Sequence, residues 1–252
     1  MKDTTTVTAA MLAIGDELLS GRTKDKNIGH LADMLTLAGI DLKEVRIIGD
    51  DIDEIADALN ALRARYDYVF TSGGIGPTHD DMTADAVGKA FGLPVDYDEK
   101  AMQMLGEMYA RRGMEFNEAR MRMARMPVGS RHIDNPISTA PGFVIGNVYV
   151  MAGVPNIFQA MLDNVLPTLK SGAPMISRTV KCPYGEGDIG TALAEVQKAH
   201  PDTVIGSYPK FDENRFSTDL VIRGRDEARV EAAEAAVRQM LAEIAAARQA
   251  AG

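Results

Sequence analysis

The residues best suited to chemistry follow a short apolar run in the first third of the chain. Residues 71–81 read T-S-G-G-I-G-P-T-H-D-D, and a helical pattern begins a few residues later. Where a strand, a glycine-rich turn and a helix succeed one another, free backbone N–H groups and the helix dipole converge and favour an anion. Glycine also lets the backbone approach a ligand closely. We therefore predict that a phosphate group binds here, at Ser72, Gly73, Gly74, Gly76, Pro77 and Thr78.

Two adjacent carboxylates, Asp80 and Asp81, close this loop. Carboxylates repel phosphate, but a divalent cation that bridges them to a phosphate removes the conflict. We therefore predict that both acids bind a metal ion and act in catalysis. A second interpretation is open for Asp81. Thr78 and Asp81 have the spacing of a capping box, in which Thr78 is the N-cap of the next helix and Asp81 is its third residue.

Two further loops directly follow predicted strands. The sequence G-D-E at residues 15–17 comes after the apolar run Val7–Ile14, and G-V-P at residues 153–155 comes after Val148–Met151. The carboxyl ends of parallel strands open on one edge of a sheet, so all three loops should meet there. The sequence therefore predicts further ligand contacts from Gly15, Asp16, Glu17, Gly153 and Pro155.

The predicted metal ligands are the four acids of these loops, Asp16, Glu17, Asp80 and Asp81. An oxygen-rich site of this kind suits Mg²⁺, or a similar ion such as Mn²⁺ or Co²⁺, together with a phosphate ester. The alternative for the first two acids is that they cap the turn after the strand. No serine of these loops has an obvious histidine partner, which argues against Ser–His–Asp catalysis.

The elements that must position these loops can be predicted from hydrophobic periodicity. Up to residue 170, short apolar runs alternate with amphipathic helical patterns, which predicts a doubly wound, mostly parallel α/β sheet. Phe143–Ile145 and Val148–Met151 flank Gly146 and Asn147, which indicates a hairpin at one end of that sheet. After a linker at Ser171–Pro174, residues 175–252 have the order β-α-β-β-α, with a polar turn at residues 212–214, and predict a small α+β domain.

Composition narrows the class of protein. The chain has 252 residues and a net charge of −9, and a negative balance argues against nonspecific nucleic-acid binding. Cys182 is the one cysteine, so neither a disulfide framework nor a Cys-rich metal site is expected, and a reducing, cytoplasmic setting is the default. The apolar run near the N-terminus has strand length, so neither a signal peptide nor a membrane span is expected.

The segment between residues 93 and 141 interleaves methionines with arginines. Met-rich helices more often fill a core or a helix interface than form an adaptable binding surface. The arginines fit a solvated helix face, although one or two of them could point at a ligand phosphate. They are Arg111, Arg112, Arg120, Arg122 and Arg125.

These motifs resemble the N-terminal, molybdopterin-binding-like domain of the competence/damage-inducible CinA family. The matching stretches are I-G-D-E-L-L-S-G at 14–21, V-R-I-I-G-D-D at 45–51, S-G-G-I-G-P-T-H-D-D at 72–81, A-P-G-F at 140–143 and G-V-P at 153–155, together with Asn27. The resemblance covers most of the first 170 residues, and the remainder is similar to the small linker domain of that family.

The resemblance implies a fold of the molybdopterin-binding type, whose members hold a pterin phosphate or a nucleotide on the glycine loop and the acids that follow it. It also implies metal-dependent hydrolysis of nucleotide pyrophosphates such as ADP-ribose, and a related domain of eukaryotic FAD synthases is linked to FAD hydrolysis. Full-length family members add a nicotinamide-nucleotide deamidase domain, which we do not expect within residues 1–252.

One position departs from the family pattern. The family reads G-[VP]-P-x-E after its last strand, whereas Ile157 stands here where the acid is expected. This departure predicts reduced catalytic competence.

Three functions follow as hypotheses. The leading one is a cytoplasmic, metal-dependent nucleotide pyrophosphatase, with ADP-ribose or FAD-like substrates. The alternatives are a molybdopterin-binding protein of molybdenum cofactor biosynthesis and a catalytically silent ligand-binding protein. The expected partners are a small-molecule nucleotide or pterin phosphate and further copies of the chain, with neither a membrane nor a nucleic acid.

Overall fold

A computed structural model describes residues 6–212 and 215–250. Two residues of the predicted turn at 212–214 lie outside these ranges. The chain divides into two compact units, residues 1–172 and residues 173–252.

The first unit contains seven α-helices and eight β-strands among its described residues. They are β1 (Val7–Ile14), α1 (Asp16–Leu19), α2 (Asn27–Leu37), β2 (Ile40–Ile48), α3 (Ile52–Arg65), β3 (Tyr68–Ser72), α4 (Thr83–Phe91), β4 (Val95–Tyr97), α5 (Glu99–Arg111), α6 (Glu118–Met121), β5 (Arg125–Pro127), β6 (Arg131–Ile133), β7 (Gly142–Ile145), β8 (Val148–Met151) and α7 (Pro155–Val165).

Six of these strands form one mixed sheet in the order β2-β1-β3-β8-β7-β6. The first four are parallel to one another, while β7 pairs antiparallel with both β8 and β6. The predicted hairpin between β7 and β8 is therefore present. The predicted α/β class, with a mostly parallel sheet, is confirmed.

Helices cover both faces of the sheet because the central strands are apolar on both sides. Along β1, the fully buried Ala10 and Leu12 belong to one core, and Ala9 and Met11 belong to the other. Helices α3, α4 and α5 close the first core, and α2 and α7 close the second. An all-buried run of this kind is typical of a parallel strand between two helix layers.

The methionines between α5 and β5 mostly contribute to packing. Met108 and Met126 are buried in the first core, and Met102 and Met123 pack against it from partly buried positions. Met114 is exposed. The predicted core-filling role thus applies to most of this group.

The second unit is built from β9 (Ile176–Cys182), α8 (Glu186–Ala199), β10 (Val204–Asp212), β11 (Arg215–Gly224) and α9 (Glu227–Ala250). Its three strands form an antiparallel sheet in the order β10-β11-β9. Ile189 of α8 and Val230, Ala233 and Val237 of α9 are buried in its core. The predicted β-α-β-β-α order is observed. In neither described range is there a helix long and apolar enough to cross a membrane.

Candidate functional site

The three predicted loops meet at one edge of the sheet, because β1, β3 and β8 are parallel neighbours. The backbones touch so closely that two of the glycines cannot be replaced without movement. A Cβ atom on Gly73, whose φ is +111°, would lie 2.2 Å from the carbonyl oxygen of Ile14. A Cβ atom on Gly153 would lie 3.2 Å from the Cα of Gly73.

A cleft of about 500 Å³ opens where the loops meet, a volume within the range of small-molecule sites. It is lined by eight of the predicted ligand or metal residues, Glu17, Gly73, Gly74, Gly76, Pro77, Asp81, Gly153 and Pro155. The sequence analysis did not predict ligand contacts from the other lining residues, although it noted Ile157 as the position of the family's acid. They are Thr23, Ile75, Met123, Asn135, Ser138, Ala140, Ala152, Val154 and Ile157.

The remaining predicted residues surround the cleft without lining it. Gly15 and Ser72 are buried beneath it, whereas Asp16, Thr78 and Asp80 are exposed. A Cβ atom on Gly15 would lie 2.4 Å from the carboxylate of Glu17, so the glycine makes room for that side chain. These residues frame the site or lie at its edge.

Asp81 organises the glycine loop itself. Its carboxylate accepts hydrogen bonds from the backbone N–H groups of Gly76, at 2.6 Å, and Thr78, at 2.7 Å, and from the Thr78 hydroxyl, at 2.7 Å. Two of the N–H groups that the sequence predicts to hold a phosphate are therefore already paired with an internal anion. The loop is closed by its own carboxylate.

The capping-box interpretation of Thr78 and Asp81 is wrong. Helix α4 begins at Thr83, and its N-cap residue is Met82. Thr83, the first residue of the helix, connects it to the glycine loop by two hydrogen bonds. Its N–H group donates to the carbonyl oxygen of Gly74 at 3.0 Å, and its hydroxyl donates to the carbonyl oxygen of Gly73 at 3.0 Å. Asp81 therefore lies before the helix, and its side chain binds the glycine loop.

Asp80 is exposed, and a hydrogen bond from the Thr78 hydroxyl, which also donates to Asp81, lowers the pKa of Asp80. Asp80 is close enough to Asp50 that its negative charge, with those of Asp16 and Glu17, raises the pKa of Asp50. Burial is the largest cause of that raised pKa, and a hydrogen bond from the N–H group of Asp16 at 3.0 Å opposes it. Four carboxylates therefore flank one side of the cleft.

The sequence analysis did not single out Asp50 as a site residue. The sequence did offer an indication, because the pair Asp50–Asp51 follows β2 just as Asp16 and Glu17 follow β1. Asp51 has the more familiar role, because its side chain caps α3 by accepting from the N–H groups of Asp53 and Glu54.

Within residues 6–212 and 215–250, no three His, Cys, Asp or Glu side chains converge closely enough to coordinate one metal ion. The chemistry of the flank still suits a hard cation such as Mg²⁺, which proteins often hold through one or two carboxylates while the substrate phosphates and water supply the other ligands. The donor set therefore fits a metal that arrives with its substrate.

Asn27 joins the loops from behind. This residue begins α2 and is 3% exposed, and its amide nitrogen donates to the Ser72 hydroxyl at 2.7 Å and to the Gly153 carbonyl at 2.8 Å. Its amide oxygen is buried without a hydrogen-bond partner in the described residues. Asn27 therefore fixes the glycine loop and the loop after β8 relative to each other.

A turn before β7 contributes a fourth segment to the cleft, in addition to the three loops. The buried Asn135 donates to the hydroxyl of Ser138, at 2.5 Å, and to the carbonyl of Ala140, at 2.8 Å. Thr139 has a φ of +69°, the one positive value at a non-glycine among the described residues. Such a conformation costs free energy and often marks functional sites. The A-P-G-F stretch was the available sequence signal for this wall.

One of the arginines considered as phosphate ligands reaches the site. Arg122 donates to the carbonyl oxygen of Asp81 at 3.2 Å. Arg125 instead forms a two-point ion pair with Asp85, and Arg120 lies over the ring of Tyr109. None of the described residues that line the cleft is Lys, Arg or His.

The fold and the site define a domain of the molybdopterin-binding type. Residues 10–171 match the family described as "Probable molybdopterin binding domain", and residues 174–250 match the "FAD synthase, middle domain". The first match covers more than half of the chain.

Individual relatives refine this class. A CinA-like protein of Myxococcus xanthus is 34% identical over 250 residues, which is 92% of this chain and 58% of that protein. A CinA-like protein of Desulfosudis oleivorans is 35% identical over 217 residues, 81% of this chain and 52% of that protein. The chain thus spans little more than half the length of these relatives.

A solved structure agrees with them. The structure of the protein CinA of unknown function from Thermoplasma acidophilum has a TM-score of 0.60 and 33% sequence identity, and the match covers 65% of this chain and 98% of that one. The chain belongs to the CinA family of molybdopterin-binding-like proteins, as the motifs predicted.

Proposed function

We propose that the cleft binds a nucleotide pyrophosphate and hydrolyses it in the presence of a divalent cation such as Mg²⁺, Mn²⁺ or Co²⁺. One molecule of water adds across the P–O–P bond, so an ADP-ribose- or FAD-like substrate releases AMP and a second phosphate ester. The observation that carries the proposal is a glycine-rich cleft with a flank of four carboxylates and no cationic side chain among its described lining residues.

The charges of the cleft support the need for a metal. Glu17 and Asp81 line it, Asp16 and Asp80 lie at its edge, and a pyrophosphate would add further negative charge. Like charges at such short range are unfavourable unless a counter-ion is present. Asp80 and one of its neighbours, Asp16 or Glu17, would hold the cation, while the substrate phosphates and water would supply the other ligands. When bound, the cation would supply Lewis-acid stabilisation of the phosphoryl group.

The chain's own residues would bind and orient the substrate. Gly73 and Gly74 bring the backbone to the floor of the cleft, and Asp81 keeps the loop in that shape. The turn at Asn135 and Ser138 provides polar side chains on the facing wall. Positioning of this kind lowers the entropic part of the barrier before any bond changes.

A second function has its own support. The family description that matches residues 10–171 names molybdopterin binding, and a pterin phosphate could occupy the same cleft without being hydrolysed. In both cases the ligand is a small molecule that carries phosphate. We also propose that the protein forms homo-oligomers and that it is cytoplasmic, the second in keeping with the single, free cysteine, Cys182.

The decisive experiment is a screen of ADP-ribose, FAD and other nucleotide diphosphates against the purified chain with Mg²⁺, Mn²⁺, Co²⁺ or a chelator. We expect AMP release that requires one of the metals. Pterin binding without AMP release from any substrate would favour the second function, and nucleotide binding without turnover would favour a silent binding protein.

A further inference from the structure

We propose that the outer edge of the six-stranded sheet is the surface through which the chain associates with a second copy of itself. Strand β2 of one protomer pairs antiparallel with β2 of its partner, across a two-fold axis at Val45. The inference rests on the homo-oligomer proposed above and supplies its interface. It depends neither on hydrolysis nor on the ligand of the cleft.

The backbone groups on the outer side of β2 have no strand beside them. This strand is nine residues long, lies at the end of the sheet and pairs with β1 alone among the described strands. The N–H group of Gly15 donates to the carbonyl oxygen of Ile48 at 3.0 Å, so Ile48 points its backbone polar groups at β1. Because these groups alternate in direction along a strand, those of Val45 and Ile47 point outward. They are free to pair with a further strand.

The side chains at these outward positions are apolar. Val45 is 37% exposed and Ile47 is 43% exposed, and both are of the β-branched type that favours strands. Leu19, which is 59% exposed, lies beside the end of β2, since a Cβ atom on Gly49 would be 3.7 Å from its Cδ1 atom. A strand edge that exposes large apolar side chains favours association.

The alternate positions of the same edge carry opposite charges. Glu44 and Arg46 form an ion pair, with 2.8 Å between the Arg46 Nε atom and the Glu44 carboxylate. Glu44 also accepts a hydrogen bond from the Tyr66 hydroxyl at 2.7 Å, so this pair lies on the face of β2 nearer the end of α3. An antiparallel copy of the strand presents the acid and the base in the reverse order and can therefore match both.

Charge selects one register among those that a two-fold axis allows. With the axis at Val45, Glu44 lies opposite the partner's Arg46, and the same pairing recurs on the other side of the axis. An axis at Glu44 or at Arg46 would place that residue opposite its own copy. An axis at Ile47 would place Glu44 opposite the partner's Asp50. Opposite charges on facing residues stabilise a sheet and like charges destabilise it, so the axis lies at Val45.

Lys43 is the feature of this edge that opposes pairing. Lysines and bulges protect many strand edges, and Lys43 is left unmatched where the register of β2 against β1 shifts. Its charge is paired with Asp41 at 3.0 Å. In the proposed register it faces the partner's Ile47, which its aliphatic stem can cover. Lys43 thus limits the length of the paired segment without preventing the pairing.

Sedimentation of the full chain tests the dimer. The paired edge is small, so we expect monomer and dimer to exchange between about 1 µM and about 500 µM. Val45→Lys places two like charges on the axis and should weaken the dimer by at least about tenfold. Val128→Lys is the matched control, because Val128 is 53% exposed and follows β5. A parent chain that stays monomeric, or a dimer equally strong in Val45→Lys, would overturn the proposal.

Charge exchange tests the register. In a Glu44→Arg homodimer arginine faces arginine, and in an Arg46→Glu homodimer glutamate faces glutamate, so each variant alone should dissociate. A mixture of the two variants brings every arginine opposite a glutamate and should restore a heterodimer. An intrachain role of Glu44 cannot produce this rescue, since both variants lose the intrachain pair. If both variants melt cooperatively and their mixture stays monomeric, the proposed register is wrong.

Two cysteine variants locate the axis even if the charge variants do not fold. In Val45→Cys the two thiols belong to a hydrogen-bonded antiparallel pair, with Cα atoms about 5.5 Å apart, which a disulfide can span. In Ile47→Cys they are about 14 Å apart. Because Cys182 is buried, we expect a disulfide-linked dimer in a glutathione buffer for Val45→Cys alone. No link in Val45→Cys, or an equally rapid one in Ile47→Cys, would contradict the axis.

These outcomes are separate from those of the proposed function. A dimer that survives Val45→Lys uses another surface, so the homo-oligomer stands and this interface fails. A chain that is monomeric throughout overturns both. AMP release should be unchanged in Val45→Lys, because Val45 is not among the residues that line the cleft, and its presence or absence in the parent bears on hydrolysis alone.

Discussion

The glycine loop after β3 and the loop after β8 lie side by side, yet they are held in opposite ways. The first is fixed from within, because Asp81 takes up the N–H groups of Gly76 and Thr78. The second is fixed from outside, because Asn27 binds the Gly153 carbonyl and the core holds Ile157. Between Gly76 and Asp81 the first loop is thus closed by its own carboxylate, whereas the second loop depends on contacts from α2 and from the core.

This difference separates two tasks. A loop that satisfies its own polar groups can keep one shape whether or not a charged ligand is present, which is the preorganisation that charge stabilisation requires. In a loop that is shaped by packing, substitutions can change the side chains that contact a ligand without disturbing the glycine loop. The following predictions test that separation, beginning with the largest expected effect.

Asp80→Asn should reduce metal-dependent AMP release by about 10²-fold or more, since Lewis-acid stabilisation by a metal is worth several tenfold factors in rate. Thermal stability should not change, because Asp80 is exposed and the loop is closed by Asp81. Turnover and a melting curve of the same preparation check both statements. Turnover equal to the parent at saturating metal would remove Asp80 from the site.

Gly74→Ala should destabilise the first unit more than Gly113→Ala. Both glycines are left-handed, with φ of +68° and +63°, and each alanine should cost about 1–2 kcal/mol for that conformation. At Gly74 the new Cβ would also lie 2.1 Å from the Thr83 hydroxyl oxygen, whereas nothing lies within 4 Å at Gly113. We expect a further ~1–3 kcal/mol from this overpacking.

Urea unfolding of both variants measures the difference. Ligand affinity should fall in Gly74→Ala alone, because Gly113 is not among the residues that line the cleft. Equal losses of stability would mean that Thr83 moves away freely, and that the loop is less rigid than the comparison requires.

Asn27→Ala should weaken the loop that is held from outside. The substitution leaves the Ser72 hydroxyl and the Gly153 carbonyl without their buried donor, which costs about 1–3 kcal/mol. Hydrogen exchange should rise in the segment after β8 and stay unchanged between Gly76 and Asp81. Asn164→Ala is a suitable control, since its amide also donates to a carbonyl but lies in an exposed setting. Equal exchange in both loops would break the distinction.

Asp81→Asn should lower the free energy of unfolding by about 1–2 kcal/mol, because the amide keeps one acceptor oxygen but places an NH2 donor where the other carboxylate oxygen accepted hydrogen bonds. We expect the affinity for AMP to fall in the same variant, since the loop loses its shape. A parent-like affinity for AMP would show that the glycine loop needs no internal anion.

Much of the fold could be predicted because its signals are periodic. The apolar run of β1 and the helical spacing in α3 each correspond to an observed element with nearly the same ends. The site was predicted where loops directly follow strands. The role of Asp81 could not be predicted, because a Thr-x-x-Asp spacing fits both a helix cap and a loop that closes on its own carboxylate, and only the start of α4 at Thr83 distinguishes them.

Asp50 and Asn135 escaped prediction for related reasons. Asp50 precedes a true capping residue, so the local pattern is explained without it. Asn135 follows the three-residue strand β6, which is too short to show a period. In both cases the contacts that define the role come from other parts of the chain, and a single sequence does not record them.

The hydrogen bonds of Asn27 also bear on the order in which the site is completed. They join Asn27 to residues that are 45 and 126 positions further along the chain. Contacts between residues so far apart in sequence cost much loop entropy until the intervening strands have docked. During synthesis, the bond to Ser72 becomes available long before Gly153 leaves the ribosome. The cleft is therefore among the last features of its unit to form. A nascent chain can contain a folded glycine loop before it is able to enclose a ligand.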